Sequence, residues 1–297
     1  MKKTKKALPE FIIPQRPFEV MSPPENNSRA KIWVHEIKFD GIRLQVHIEN
    51  KEIKLYNHEG VEVSSEFPTL SEALMEMNVD NVIMEGEAVI LDKQGKSQYQ
   101  QLQKALRFKE DTQVKIFLFD LLFLDGKDLR ALALIERKET LQKLIPDIHP
   151  RLRFSNHVTR DPESFFNINC KQQLEGIVSK IASAPYESGR SKTWCKTRCS
   201  KTHEFHIAGM NDVTQEIILG EFVRDKFLFV GKVYADGNYS KVKKKLSKLA
   251  VDVTPFEKFP QQKNIHWVKP EVKAEINFSN WTDEKLLRNP TLVDLVT

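Results

Sequence analysis

Apolar and polar residues alternate with period two from Arg43 onward. Leu44, Val46 and Ile48 fall on one face and Arg43, Gln45 and His47 on the other, before residues 49–52 turn the chain back into Ile53 and Leu55. Alternate side chains of a strand point to opposite faces, so this stretch predicts a β-hairpin with one wet face. Residues 82–91 read as another strand, and the apolar run 116–124 as one buried on both faces. Helical spacing marks residues 69–77 and 136–144. Before the hairpin, Pro9, Pro14, Pro17, Pro23 and Pro24 predict an irregular lead-in over residues 7–30. After residues 200–202 the pattern shifts to short β segments at 205–209, 217–222 and 227–233, the signature of a small barrel or sandwich. A domain boundary is therefore expected near residue 200.

The length agrees with that division, because 297 residues exceed what one core organises efficiently. Composition is that of a globular protein, 40% apolar and 29% charged. The net charge of +5 is a small difference between 46 basic and 41 acidic residues, which permits nucleic acid as a partner without demanding it. Asp120 interrupts the longest apolar run, which is far shorter than the roughly 20 residues of a membrane helix, so no bilayer span is expected. The basic start, Met1-Lys-Lys-Thr-Lys-Lys, has no apolar segment behind it and reads as a solvated tail. Three cysteines form an odd set, read as free thiols in a reducing compartment, the cytoplasm.

Five short segments carry candidate chemistry. Lys38-Phe-Asp-Gly-Ile-Arg43 sits where one strand stops and the hairpin starts. A lysine there acts as a nucleophile if cations or desolvation free its amine, and Arg43 is a candidate cation; the competing reading is a surface turn built on Asp40-Gly41. Met84-Glu85-Gly86-Glu87 puts two carboxylates on one strand face, suited to a ribose hydroxyl or a hard cation such as Mg²⁺, or simply exposed. Phe117-Leu-Phe119-Asp120-Leu121-Leu122 is mostly core, with an aromatic available to stack on a base. In Glu175-Gly-Ile-Val-Ser-Lys180, ideal alternation sends Glu175 and Lys180 to opposite faces unless Gly176 bulges the strand. In Trp194-Cys-Lys196-Thr-Arg198 the Trp and both cations share a face, an arrangement suited to phosphate. Cys195, Cys199, His203 and His206 supply the ligand types of a zinc site, but the two cysteines lie in and beside a predicted strand, opposite the cation face.

In this order, over about 160 residues, the five segments resemble the motif series of the covalent nucleotidyltransferases. The wording narrows the likeness. Phe119-Asp-Leu-Leu-Phe-Leu-Asp-Gly126, Leu129-Arg130, Ile135-Glu-Arg-Lys138, Pro185-Tyr186 and Gly189-Arg190 resemble the ligase domain of bacterial ligase D, an end-joining DNA ligase. Glu204-Phe205, Gly209, Leu219-Gly220, Val230-Gly-Lys-Val233 and Trp267-Val-Lys-Pro270 continue it, so the resemblance spans nearly everything from Phe18. It implies an α/β (α+β), ATP-grasp-like nucleotidyltransferase domain over residues 18–200, after a lead-in at 1–17, and an all-β OB-fold domain over 201–297.

The implied activity is ATP-dependent sealing of nicks or breaks in duplex DNA, in repair or end joining. Lys38 would carry AMP, Arg43 would contact ribose or phosphate, and Glu36 would line the adenine pocket. Glu87 would hold the ribose or help bind a metal, Phe119 would stack on adenine, and Glu175 would bind Mg²⁺ or Mn²⁺. Lys180, Lys196 and Arg198 would hold the α-phosphate. A hinge near residue 200 would let the second domain swing, and the lysine-rich segment 240–248 would grip duplex backbone or form a solvated helix. A Ku-like end-binding partner, a monomeric state and a bacterial cytoplasmic or nucleoid location also follow from the likeness. The alternatives are an RNA ligase, an mRNA-capping-type enzyme, or a nick- or end-binding protein impaired in ATP charging.

Departures from the family pattern are Asn57-His58-Glu59-Gly60, where a fixed arginine is usual, and Arg198 in place of a second lysine. A final motif that begins at Arg288-Asn-Pro290 and stops short predicts slow charging with ATP in a stand-alone ligase.

Overall fold

The computed structural model describes residues 8–26, 31–235, 237–260, 262–282 and 284–296. The basic tail at 1–6 lies outside them. The chain forms two compact units, Met1–Cys199 and Ser200–Thr297.

The first unit is built on two sheets. In one, β4 (Glu52–Tyr56), β3 (Ile42–Glu49), β5 (Val82–Val89), β6 (Lys115–Leu124) and the short β7 (Lys127–Asp128) follow one another, and β8 (Leu152–Phe154) pairs parallel to β6. The other runs β1 (Gln15–Glu19), β11 (Gly189–Arg198), β10 (Gly176–Ile181), β2 (Trp33–Ile37) and β9 (His157–Val158). Helices α1 (Pro68–Met75), α2 (Tyr99–Arg107), α3 (Leu134–Leu144) and α4 (Pro162–Lys171) complete it. Leu44, Val46 and Ile48 of β3 meet Leu55, Leu70, Leu74, Met84 and Leu118 in the main core, as the alternation predicts.

The hairpin's second face is not wet. Gln45 and His47 are buried, because residues near Ile12 cross over them: the Ile12 amide donates to Gln45 Oε1, and Gln45 Nε2 donates to the Ile12 carbonyl. Nor is the lead-in irregular throughout. Residues 15–19 form β1, parallel to β11. Proline permits this because β1 is an edge strand, where a missing N–H leaves no gap inside a ladder.

Two buried histidines tie this unit to pH. His35, against Ser179 Oγ at 2.8 Å, and His47, against Gln45 Oε1 at 2.9 Å, are each pushed down to about 4 by burial, aided at His47 by Lys54. An unfolded histidine binds its proton near pH 6.5. Between pH 6.5 and 4 the unfolded chain therefore holds more protons, and stability should fall on acidification by up to about 1.4 kcal/mol per pH unit per histidine, the dependence vanishing below pH 4. Urea unfolding across this range would test it; a His35→Gln variant with an undiminished slope would exclude His35 from the effect.

The cysteines do not stand as three free thiols. Cys170, near the end of α4, and Cys199, just past β11, are joined in a disulfide, which leaves Cys195 free. α4 packs on β10, the neighbour of β11, so residues 29 apart in sequence meet with Cα atoms at 5.3 Å. The cysteine argument for a reducing compartment, and zinc ligation by Cys199, fall with this bond. By loop closure it should stabilise the unit by about 2–4 kcal/mol, so Cys170→Ser is expected to lower the thermal midpoint under oxidising conditions and change nothing under reducing ones. Equal midpoints in oxidant would refute the bond's contribution.

In the second unit a curled sheet runs β14 (Lys226–Tyr234), β13 (Glu216–Val223), β12 (Lys201–Asn211), β16 (Ile265–Val268) and β15 (Ala250–Val251). β17 (Lys273–Phe278) pairs with both β12 and β20 (Thr291–Val296), and β20 returns beside β14. A short ribbon, β18 (Asn280–Trp281) with β19 (Leu287–Arg288), is hydrogen-bonded separately and packs against β14 through Leu287. Phe205, Ile207, Leu219, Val230 and Ile276 fill the barrel interior with Val242 and Leu246 of α5 (Tyr239–Leu246), whose lysines stay exposed. Among the described residues no helix is long and apolar enough to cross a membrane.

Candidate active site

β2 ends at Ile37 and β3 begins at Ile42, so Lys38 rides on the turn between the two sheets of the first unit. Its amide donates to the Gly176 carbonyl at 2.9 Å. Two glycines make the turn possible. At Gly41 a Cβ would come within 2.2 Å of the Ala88 carbonyl oxygen. At Gly176, with φ +141°, a Cβ would meet Thr197 O at 2.1 Å, so only glycine joins Glu175 to β10 here.

The Lys38 side chain opens into a cavity of about 510 Å³. Glu36, Arg43, Glu87, Phe119, Lys180, Lys196 and Arg198 also line it. Glu175 completes the group from beside it: its Oε2 accepts from Lys38 Nζ at 2.7 Å, and its Oε1 lies 3.5 Å from Arg198 Nε. Glu175 precedes the strand rather than alternating within it, which is how it and Lys180 reach one site. All nine residues singled out from sequence converge.

The charges are arranged in three groups. Deepest is Glu36, whose Oε1 takes a bond from Lys138 Nζ at 2.6 Å and whose Oε2 takes one from Lys180 Nζ at 2.8 Å and one from Ser155 Oγ at 3.1 Å. Burial works to raise the Glu36 carboxyl, but the two lysines hold it below its ordinary value. Burial drives Lys180 the other way, down to about 8, against the pull of Glu36. Its ammonium also lies 4.3 Å from the ring centres of both Phe119 and Trp194.

Along one wall, Arg43 is locked in place by Glu85 Oε2 and the Gln15 carbonyl, each at 2.7 Å. Tyr186 OH donates to the same Glu85 oxygen at 2.9 Å and accepts from the Gln15 amide. Glu87, two residues along the same strand face, has no such partner. Burial raises it to about 7, opposed by Lys38 and Arg43 and reinforced by Glu175 and Asp40. At the far end of β1 from Gln15, Glu19 pairs with Arg198 at 2.6 Å and Lys196 at 3.4 Å. Since Glu19 is half exposed, an incoming phosphate exchanges it at small cost.

Sequence reasoning missed several contributors. Lys138 and Arg137 are fully buried, the latter forked onto Asp120. Their signal was available: with Leu134 and Leu141 they occupy the 134, 137, 138, 141 spacing of the helix's buried face, where two adjacent cations require partners. Arg16, Phe39, His58 and Ser155 also line the cavity. His206 Nδ1 sits 2.7 Å from the Pro270 carbonyl oxygen, a backbone contact within the second unit rather than a zinc shell.

Comparison with known proteins gives this geometry a context. Residues 18–198 match the family model described as ATP dependent DNA ligase domain, and residues 211–295 the one described as ATP dependent DNA ligase C terminal region. The chain is 31% identical over 301 residues to the multifunctional non-homologous end joining protein LigD of Pseudomonas aeruginosa, covering 96% of this chain and 35% of that one. For the LigD of Mycolicibacterium smegmatis the identity is 28%, over 98% of this chain and 39% of the relative. The chain thus spans little more than a third of these relatives. The crystal structure of the ligase domain from Mycobacterium tuberculosis LigD is similar with a TM-score of 0.60 at 29% identity, covering 97% of this chain and 95% of that one. A mycobacterial DNA ligase D complexed with ATP and MES matches equally, with a TM-score of 0.60 at 28% identity. The fold class is the expected one, a nucleotidyltransferase domain followed by an OB-fold domain, and the RNA-ligase and capping readings are not favoured.

Proposed function

The chain belongs to the ATP-dependent DNA ligase family, and on that premise we propose that Lys38 is the residue that carries AMP between ATP and the 5′ phosphate of a DNA break. One observation carries the proposal: the Lys38 amine opens into a cavity whose walls hold Arg43, Lys180, Lys196 and Arg198. Phosphoryl transfer needs chiefly position and neutralised charge, and these side chains supply both.

In the first step the amine nitrogen attacks the α-phosphorus and the bond to pyrophosphate breaks. Glu175 orients that nitrogen from 2.7 Å. Lys180, Lys196 and Arg198 receive the α-phosphate, with Glu19 giving way. Phe119 and Glu36 hold the adenine by stacking and by its amino group, and Glu87 with Arg43 faces the ribose. The DNA 5′ phosphate then takes AMP from the lysine, and the 3′ hydroxyl displaces it to seal the strand.

Glu87 and Glu175 fit a hard cation, since burial first and the neighbouring Glu175 carboxylate in addition raise Glu87 to about 7, and Mg²⁺ favours one or two carboxylates plus phosphate oxygens. Bound there, Mg²⁺ or Mn²⁺ would neutralise charge on the phosphates. Broken duplex ends as substrate, a Ku-like partner and a monomeric state belong to the same proposal, by likeness to the end-joining relatives.

Incubation of the full chain with α-labelled ATP should yield labelled protein. Addition of nicked duplex bearing a 5′ phosphate should move the label to DNA and release it as AMP. A chain that takes no label, with either Mg²⁺ or Mn²⁺, would overturn the reading.

A further inference from the structure

A lysine from α3 stands behind the cavity wall that Glu36 and Ser155 form. Lys138 is fully buried, donates to Glu36 Oε1 at 2.6 Å and to the Ser155 carbonyl at 2.8 Å, and lies 4.6 Å from the centre of the Phe154 ring. It does not line the cavity itself; Glu36 and Ser155, which it joins, both do.

A carboxylate offers about four lone-pair sites. Among the described residues three are filled, by Lys138, Lys180 and Ser155 Oγ. Two cations keep the group ionised and therefore able only to accept, which leaves one free acceptor position. A purine with an amino group on its six-membered ring at that point gains a bond, whereas one with a carbonyl oxygen there meets a second acceptor and is repelled. Of the two cations, Lys180 also faces the cavity, where the triphosphate competes for it. Lys138 has no such second duty.

We propose that Lys138 is the positioning residue that sets the enzyme's choice of adenine over guanine nucleotides, by holding Glu36 as an ionised, singly vacant acceptor whatever Lys180 does. This rests on the reading of the cavity as the site of covalent nucleotide transfer. If Lys138 is removed while Lys180 turns to phosphate, Glu36 keeps Ser155 as its hydrogen-bond partner and faces His157 across the β2–β9 pair, an imidazole that burial holds below its ordinary value and so keeps from replacing the lost cation. Glu36 then takes up a proton and donates to a guanine carbonyl oxygen as readily as it accepts from an adenine amino group.

The experiment is covalent labelling of the full chain with α-labelled ATP and, separately, α-labelled GTP, across a concentration series. For Lys138→Met the preference for ATP over GTP is expected to fall at least about tenfold, since specificity built on a hydrogen bond is lost when its buried partner can change state. The loss should sit in the nucleotide KM, with the labelling rate at saturating ATP little altered. It should deepen as pH is lowered, where the unsupported carboxyl protonates. In a Glu36→Gln background, Lys138→Met should leave the preference unchanged, because the lysine acts only through that carboxylate.

An unaltered ATP-to-GTP ratio and pH profile in folded Lys138→Met overturns the proposal, as does an effect of equal size in the Glu36→Gln background. Should Lys138→Met not fold, Lys138→Gln carries the test, because it keeps a donor to Glu36 but removes the charge. The preference should then fall about threefold or more and fall further as pH is lowered, and an unchanged preference overturns the proposal equally. Absence of any label on the unaltered chain would instead refute the underlying reading of the site, a result distinct from either.

Discussion

Lys38→Ala is expected to take no label from α-labelled ATP and to seal no nick, with both signals below one thousandth of the unaltered chain, since a methyl group offers no nucleophile and the remaining catalytic groups have nothing to act through. The fold should survive. Lys38 is partly exposed, its ion-pair partner among the described residues is Glu175, and Glu175 retains Arg198 at 3.5 Å. Its backbone amide, which donates to Gly176 and continues the pairing of β2 with β10, is untouched by the substitution. The informative control is a nick that already carries 5′-AMP. Sealing it requires no charged lysine, so Lys38→Ala should retain a measurable part of that final step while losing the first two. Retained labelling in Lys38→Ala would move the nucleophile to another residue. Loss of thermal stability by more than a few degrees would show instead that Lys38 supports the turn.

What the sequence made legible was periodic or ordered. The alternation at Leu44, Val46 and Ile48 located β3 because one face of that strand meets a large apolar core, and period two records this directly. Eight of the nine residues could be picked out because they stand in a fixed order within short segments, each tied to a strand end or a strand face, and Glu36 followed from the resemblance, two residues before Lys38. What alternation cannot report is what covers the polar face. Gln45 and His47 read as wet because their burial depends on a crossing near Ile12, more than thirty residues away, whose backbone bonds Gln45, which in turn bonds His47. The Cys170–Cys199 bond was hidden for a similar reason: an odd cysteine count says nothing of which pair the packing of α4 on β10 brings together.

The partnerships of the charges were equally illegible. Glu85 and Glu87 occupy one strand face two residues apart, so sequence treats them as a pair, yet they have opposite fates. Glu85 is satisfied by Arg43 and Tyr186, and the latter arrives from a hundred residues downstream. Glu87 is left facing Lys38 and Glu175, and burial lifts it to about 7. A carboxylate anchoring an arginine is structural, whereas one crowded against another carboxylate beside an amine is available for chemistry. Only the register of β3 on β5, with Arg43 opposite Glu87 and Gln45 opposite Glu85, together with the approach of Tyr186, decides which is which.

Lys180 should impose the alkaline limit on charging. Burial holds its amine down to about 8, so in the free enzyme it is a cation below that pH and becomes neutral above it. The pH dependence of kcat/KM reports groups of the free enzyme. Covalent AMP formation should therefore decline above about pH 8 as the cation facing the α-phosphate is lost. Lys180→Met removes that cation at every pH, and by comparison with the loss of one preorganised donor to developing charge it should slow the step by about 100- to 1000-fold. Part of that loss will come from Glu36, which gives up one of its two lysines, but Lys138 remains to hold its charge. Lys180→Arg separates the two contributions. Its guanidinium stays protonated throughout the range, so the decline above pH 8 should disappear even if the wider group lowers the plateau. If the alkaline limb survives unchanged in Lys180→Arg, the titrating cation is a different one. Lys196 is then the group to replace next, because burial and the neighbouring Arg198 lower it in the same direction, it lines the same cavity, and Glu19 already shows it to be within reach of an anion.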